Sequence, residues 1–320
     1  MNSQIELDSI IDVINRAQKI GVFAHVSPDG DAIGSGLGLY LGLKQLKKEV
    51  EVVFDDCSSS FDFLPAREVV KKEGDKEGYD LAIALDCASR ARLFDPVGSF
   101  DKSKVKISID HHASNTFFAD YNYVENHSPA VCKTLIKIFK RLNISIDLEI
   151  GTCFMAGIIT DSGGFRYSDV DDETFEFAAQ MLDVGVNISD IYYRTFDLKT
   201  KAQFELSTIA TSRLKFYAKD RIALTYITME DIKKTKSQLG DHEGIVSVGR
   251  NIEGVEVSIF LREDDDGTYK VSLRSNNNVK VSEIAEVFGG GGHDRASGCT
   301  IDLPLEEAIK KLVKEATKKL

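Results

Sequence analysis

Three short runs constrain this chain more than anything else in it: IGVFAH (20–25), YDLAIALD (79–86) and KVKISID (104–110). Each is apolar, or nearly so, along most of its length, as strands of a parallel sheet covered on both faces tend to be. EVEVVF (49–54) is a fourth of the same kind, and helix-like segments alternate with them. The apolar-rich AIGSGLGLYLGLKQLKK (32–48) follows the first strand. SPAVCKTLIKIFKRLN (128–143) predicts a helix with Ser128 as N-cap and Pro129 in its first turn. LEIGTCFMAGIITDSGGF (148–165) reads as a buried helix running into a loop, and DDETFEFAAQMLDVG (171–185) as an amphipathic helix closed by Gly185. The pattern implies an α/β fold whose N-terminal domain is a doubly wound parallel sheet.

The pattern changes further on. Residues 187–219 read as helical and less apolar, a connector, and after them come the strands RIALTYIT, GVEVSIFLRE and TYKVSLRS, the last two joined by a turn at Asp266-Gly267. Two helices, VSEIAEVF and LPLEEAIKKLVKEATKKL, flank a run of four glycines and one more strand. At 320 residues two domains are the better expectation. We place a first domain at 1–190, a connector at 191–204 and a smaller C-terminal α/β domain at 205–320, with a cleft between the two.

What ends the strands is not core material. His25, Asp29 and Asp31 follow the first, Asp86 ends the second, Asp110, His111 and His112 end the third, and Asp161 follows GIIT. In open α/β sheets ligands gather beyond the carboxyl ends of the strands, so these segments are expected to converge on one crevice. Any one of these aspartates has an ordinary reading as a helix cap or turn former. The joint pattern, HxxxDxD and then DHH, each after a strand, has none. Mixed carboxylate and imidazole donors suit a borderline divalent ion such as manganese, and so many donors suit two ions sharing a carboxylate. The glycines at 30, 34, 36 and 38 are expected to let a helix lie close on the sheet; no Walker lysine and no G-x-G-x-x-G spacing accompanies them.

Composition excludes several alternatives. A net charge of −11 disfavours a broad duplex-DNA surface. Five cysteines without a C-x-x-C pair indicate neither a disulfide framework nor a cysteine zinc site. The acidic, amphipathic first 20 residues are not a signal peptide, and no run is long and apolar enough for a membrane span. The expectation is a cytoplasmic protein without a membrane partner.

HVSPDGDAIGS, ALDCAS, DHH, TDSGGFR and GGGGHDRASG, in this order, resemble the DHH phosphoesterase superfamily with its DHHA1 substrate domain, over nearly the whole chain. The short form resembles the bacterial bifunctional oligoribonucleases (nanoRNases) that are also phosphatases of 3′-phosphoadenosine 5′-phosphate (pAp). The resemblance implies one metal on His25, Asp29 and Asp86 and a second on Asp31, Asp86, His111 and Asp161, most simply two Mn²⁺, which activate a water between them. It implies His112 as a catalytic donor to a phosphate oxygen and Asp110 as the residue orienting the adjacent histidines. In the second domain it points to Gly290, Gly291, Gly292 and His293, with Arg274 as a phosphate clamp and Arg295 as a weaker one. Arg92 and Arg166, beside metal motifs, are further substrate candidates; an exposed arginine is the bland alternative for both.

The expected substrates are short single-stranded RNA and small phosphorylated nucleotides. The alternative within the same chemistry is a cyclic di-AMP or pApA phosphodiesterase. A pyrophosphatase is disfavoured by the glycine–histidine segment, and a RecJ-type exonuclease by chain length. A sensor without catalysis is disfavoured by the intact ligand set. Oligomeric state is not legible, though the connector and the exposed face of the first domain offer surfaces for a homodimer.

Overall fold

The computed structural model describes residues 3–238, 240–242 and 244–320. Its contacts divide the chain into two compact units, Met1–Leu198 and Lys199–Leu320.

The first unit is built on six strands: β1 (Lys19–Phe23), β2 (Glu49–Val53), β3 (Val70–Lys71), β4 (Leu81–Leu85), β5 (Val105–Asp110) and β6 (Tyr121–Val124). They pair in the order β3-β2-β1-β4-β5-β6, all parallel. The helices of this unit are α1 (Ser3–Arg16), α2 (Gly30–Gln45), α3 (Ser99–Lys102), α4 (Val131–Leu142), α5 (Leu148–Asp161), α6 (Asp172–Asp183) and α7 (Ile188–Tyr192). Alternate strand residues face opposite ways. Val22, Leu81, Ile83, Leu85, Ile107 and Ile109 pack into a core with α1, α2, α4 and α5. Phe23, Val53, Ala82 and Ala84 meet Tyr79, Leu93 and Phe100 on the other side. Both faces are covered, which is why the central strands β1 and β4 are apolar along nearly their whole length. The second face is closed by the short α3 and loops where a doubly wound sheet would use long helices.

Two local expectations need correction. Ser128 does not cap α4: the helix starts at Val131 with Ala130 at the cap position and no capping by its own segment. The two oxygens of Asp31, in α2, instead accept the Val131 and Cys132 N–H groups at 2.5 and 3.0 Å. The glycines of α2 are divided between neighbours. A Cβ at Gly34 would overlap the Cys153 carbonyl oxygen and one at Gly38 the Phe154 ring, so these positions let α2 lie against α5, whereas one at Gly36 would overlap the Phe54 ring directly after β2, on the sheet side.

Lys133 of α4 is 2% exposed and pairs with Asp171 and Glu173. Asp171 is also the N-cap of α6, in a reciprocal arrangement with Thr174. Burial works against its charge, but the Lys133 ammonium and the Thr174 bonds outweigh it and hold the carboxyl at about 2. Asp171→Ala should cost about 2–3 kcal/mol, combining a lost cap with a buried lysine short of a partner. Adding Lys133→Met should recover part of it. Because the folded-state pKa is depressed, this contribution is complete above about pH 4 and fades as pH falls through about 2. Urea midpoints of wild type and Asp171→Ala should therefore converge in acid; a gap unchanged from pH 7 down to 3 would rule out the ion pair as its source.

The second unit carries a mixed sheet. Its strands are β7 (Lys215–Tyr217), β8 (Ile222–Ile227), β9 (Val257–Glu263), β10 (Tyr269–Ser275), β11 (Gly291–His293) and β12 (Ala296–Ile301), in the order β11-β12-β10-β9-β8-β7. Its helices are α8 (Lys201–Ser212), α9 (Met229–Thr235), α10 (Ile245–Arg250), α11 (Val281–Glu286) and α12 (Leu305–Lys319). The stretch read as a helical connector through residue 219 thus ends in strand β7, whose pairing with β8 a local pattern does not reveal. The glycine run is likewise no simple loop: Gly291–His293 pairs with Ala296–Gly298 as an edge hairpin. Among the described residues no helix is long and apolar enough to cross a membrane.

Candidate metal centre

The strand order reverses between β1 and β4, which lie side by side, with Phe23 opposite Ala84. Neighbouring helix connections leave to opposite sides there, opening a crevice at the carboxyl ends of the strands. His25 follows β1 by two residues, Asp86 follows β4 directly, and Asp110 ends β5 beside it, with Leu85 opposite Ile109. Asp29 caps α2 and Asp31 lies in its first turn. Asp161 is the last residue of α5, and the α2–α5 approach brings it to the same place.

Among the described residues, ligand atoms lie within 4.8 Å of one another in three groups: His25, Asp29 and Asp86; Asp31, His111 and Asp161; and Asp86, His111 and His112, whose Nδ1 is engaged by Asp110. Asp86 joins the first two: one of its oxygens is 3.7 Å from His25 Nε2 and the other 3.3 Å from His111 Nε2. His111 Nε2 is also 3.2 Å from Asp161. Donors on one ion at about 2.1 Å stand roughly 3–3.5 Å apart, so the spacing suits ions between these atoms.

The side chains are oriented for that use. His25 donates Nδ1–H to the Val26 carbonyl (2.8 Å) and His111 donates Nδ1–H to the Ser128 carbonyl (2.9 Å), turning each Nε2 to the carboxylates. Asp86 is 2% exposed. Its Oδ1 has no hydrogen-bond partner, a costly state for a buried acceptor unless a cation faces it. Its backbone is left-handed at φ 51°, held by an N–H bond to the Ile109 carbonyl. A Cβ at Gly157 would come within 2.7 Å of Asp31 Oδ1, so that glycine makes the room Asp31 occupies.

Charge balance points the same way. Burial opposes the His25 imidazolium, yet Asp29 and Asp86 raise it to about 10. Burial likewise opposes His111, and Asp161 with Asp86 raises it strongly. Burial, with the charges of Asp86 and Asp161, pushes Asp31 up. Burial also lifts Asp161, against the His111 bond, to about 6. A cluster that recruits protons this strongly is short of positive charge.

Around this cluster, His112 donates Nδ1–H to Asp110 (2.7 Å), and Asp110 is fully buried. The other Asp110 oxygen accepts from Asn115 Nδ2 at 2.6 Å. Sequence reasoning missed Asn115; its place five residues after Asp110, in the same turn, was the only available signal. Arg92 is exposed, and its carbonyl accepts the Val26 N–H at 2.8 Å, which ties its turn to the His25 segment. Arg166 Nε donates to the Gly163 carbonyl at 2.5 Å.

In the second unit, Arg274 on β10 stands opposite Ala296 on β12, which stands opposite His293 on β11. Directly paired residues share a sheet face, here the one away from Leu273 and the core. Arg274 and His293 therefore flank a small alanine on one surface. Gly290 and Gly292 meet backbone across the hairpin, a structural reason for glycine there, whereas Gly291 faces open space. Arg295 Nη1 donates to the Asn276 carbonyl at 2.8 Å.

Residues 19–158 match the family model described as "DHH family, N-terminal domain", and residues 221–320 match "DHHA1 domain". The chain is 33% identical, over 94% of its length and 90% of the relative's, to a Thermus thermophilus protein named bifunctional oligoribonuclease and PAP phosphatase NrnA. It is 27% identical to a protein of the same name from Mycoplasma genitalium, covering 97% of this chain and 96% of that one. Among solved structures, an exopolyphosphatase-related protein from Bacteroides fragilis superposes with a TM-score of 0.92 at 29% identity, covering 98% of this chain and 96% of that one.

Proposed function

The chain belongs to the DHH family, and from that premise we propose that it is a divalent-metal-dependent phosphoesterase that hydrolyses short oligoribonucleotides to mononucleotides and dephosphorylates pAp. The observation that carries this reading is the meeting of two donor groups at one buried carboxylate, Asp86. His25, Asp29 and Asp86 would hold one ion, and Asp31, Asp86, His111 and Asp161 would hold the other. Nitrogen and oxygen donors in this mixture favour Mn²⁺. When bound, such ions supply Lewis acidity and lower the pKa of water from about 15.7 towards about 7.

The protein's own groups do the rest. The paired backbone acceptors fix the metal-facing nitrogens of His25 and His111. Asp110 accepts the His112 Nδ1–H and favours the imidazolium against burial, so that Nε2–H donates to a phosphoryl oxygen as charge develops there. Arg274, Arg295, His293 and the outward groups of Gly290, Gly291 and Gly292 bind the anionic substrate, with Arg92 and Arg166 as contacts beside the metal ligands. The names of the relatives favour oligoribonucleotides and pAp over cyclic di-AMP. A net charge of −11 suits single strands and small nucleotides better than duplexes. The cytoplasm suits the free thiols at Cys57, Cys87, Cys132, Cys153 and Cys299.

The test is hydrolysis with Mn²⁺ of 5′-labelled RNAs two to five nucleotides long, beside pAp, cyclic di-AMP and pyrophosphate. Preference for the shortest RNAs, with release of phosphate from pAp, is expected. Dominant cleavage of cyclic di-AMP or pyrophosphate would overturn the assignment. Asp110→Asn should lower kcat by about 10- to 100-fold, as loss of an orienting partner does, with metal affinity and KM nearly unchanged. Asn115→Ala should act in the same direction and less. A loss in KM alone would remove Asp110 from this role.

A further inference from the structure

Phe117 is poorly explained as a structural residue. Its side chain is 63% exposed. Its backbone sits in the left-handed region at φ 53°, which a bulky residue rarely adopts. Glycine or asparagine would make the same turn at lower steric cost and leave no ring in water. The next residue behaves in the opposite way: Phe118 packs inward, its ring centroid 5.9 Å from that of Phe100. The turn sends one phenylalanine into the core and presents the other to solvent.

That turn is firmly held. Asn115 Oδ1 accepts the Phe117 N–H at 2.7 Å, while Asn115 Nδ2 donates to Asp110 and to the Cys87 carbonyl, at 2.6 and 3.4 Å. The Thr116 N–H donates to the Ala88 carbonyl at 2.9 Å. Cys87 and Ala88 directly follow Asp86, and Asp110 orients His112. The backbone of Phe117 is thus tied, through Asn115 and Thr116, to both loops that carry the central side chains of the candidate site. An aromatic face whose ordering cost is already met suits a flat, apolar partner arriving with a phosphate.

We propose that Phe117 is a nucleobase-stacking residue, which takes the base of a nucleotide next to the scissile phosphate. The inference rests on the phosphoesterase reading above and adds a recognition element to it. Stacking needs a base but does not depend on its hydrogen-bonding edge, so it selects nucleotides over base-free phosphoesters while tolerating any sequence. Larger purine faces gain more from it than pyrimidines.

The experiment compares the full-length protein with Phe117→Ala, Phe117→Gly and Phe117→Tyr in Mn²⁺. The substrates are a 5′-phosphorylated diadenylate and an abasic dinucleotide of the same backbone. For the diadenylate, KM should rise about 5- to 100-fold in the Ala and Gly variants, the range of a lost base–aromatic stack, with Tyr close to wild type. KM for the abasic substrate should not change. Phe117→Gly should melt at or above the wild-type temperature, because it relieves the left-handed strain. Unchanged KM on the diadenylate in an otherwise active enzyme overturns the inference alone, as does an equal rise on the abasic substrate. A fall in melting temperature in the Gly variant would mark Phe117 as structural and overturn it too. Failure of the wild type to hydrolyse either dinucleotide overturns the phosphoesterase reading and this inference with it.

Discussion

Asp86→Asn is expected to leave the fold intact and to reduce turnover by at least about 1,000-fold, since each ion contributes several kcal/mol and each 1.36 kcal/mol is a factor of ten. Asparagine tolerates the left-handed backbone that Asp86 adopts at φ 51°, so the substitution removes charge without adding strain. Asp86→Ala should abolish turnover as well, with some added steric cost at that φ. The carboxylate is the point at which the His25 group and the His111 group meet, so its loss should weaken both ions together. Mn²⁺ titration by calorimetry should show loss or marked weakening of both binding events, while the melting temperature of the metal-free protein holds or rises with one carboxylate fewer. Turnover within tenfold of wild type, with both ions bound, would sink the shared-ligand arrangement.

Gly34→Val carries the second largest effect, and it acts on folding. A Cβ there would overlap the Cys153 carbonyl oxygen, a backbone atom of α5 that cannot rotate away. The two helices must separate, at a cost of at least about 3 kcal/mol for overpacking a buried contact. Separation also pulls Asp31, on α2, from Asp161, on α5, so any folded fraction should lose the second donor group. Gly157→Ala isolates that consequence, since its Cβ would press on the Cys132 thiol and on Asp31 Oδ1. It should reduce metal affinity more than stability. A Gly34→Val protein that melts within about 2 °C of wild type would show that α2 can shift against α5 at little cost.

Much of the candidate site was legible because the donors sit where a general rule of α/β sheets puts them. Strand-final Asp86 and the Asp110–His112 run could be placed at one edge from apolar runs alone, before any pairing was known. The β-strand order, which puts β1 next to β4, was not readable, and it is what makes His25 and Asp86 neighbours. Asn115 escaped notice because one asparagine in a turn has an adequate local explanation.

The sequence by itself determined which segments are strands buried on both faces, and which side chains at their ends are too polar for a core. Both properties are carried by neighbouring residues, through the balance of apolar burial against the cost of desolvating charge. Tertiary structure alone decided that Asp31 caps a helix 100 residues away, that Gly34 and Gly38 of α2 face α5, and that the glycine–histidine run is an edge strand. Each of these depends on a partner remote in the chain. A carboxylate, a missing Cβ or an unpaired N–H is compatible with many partners until the fold supplies one.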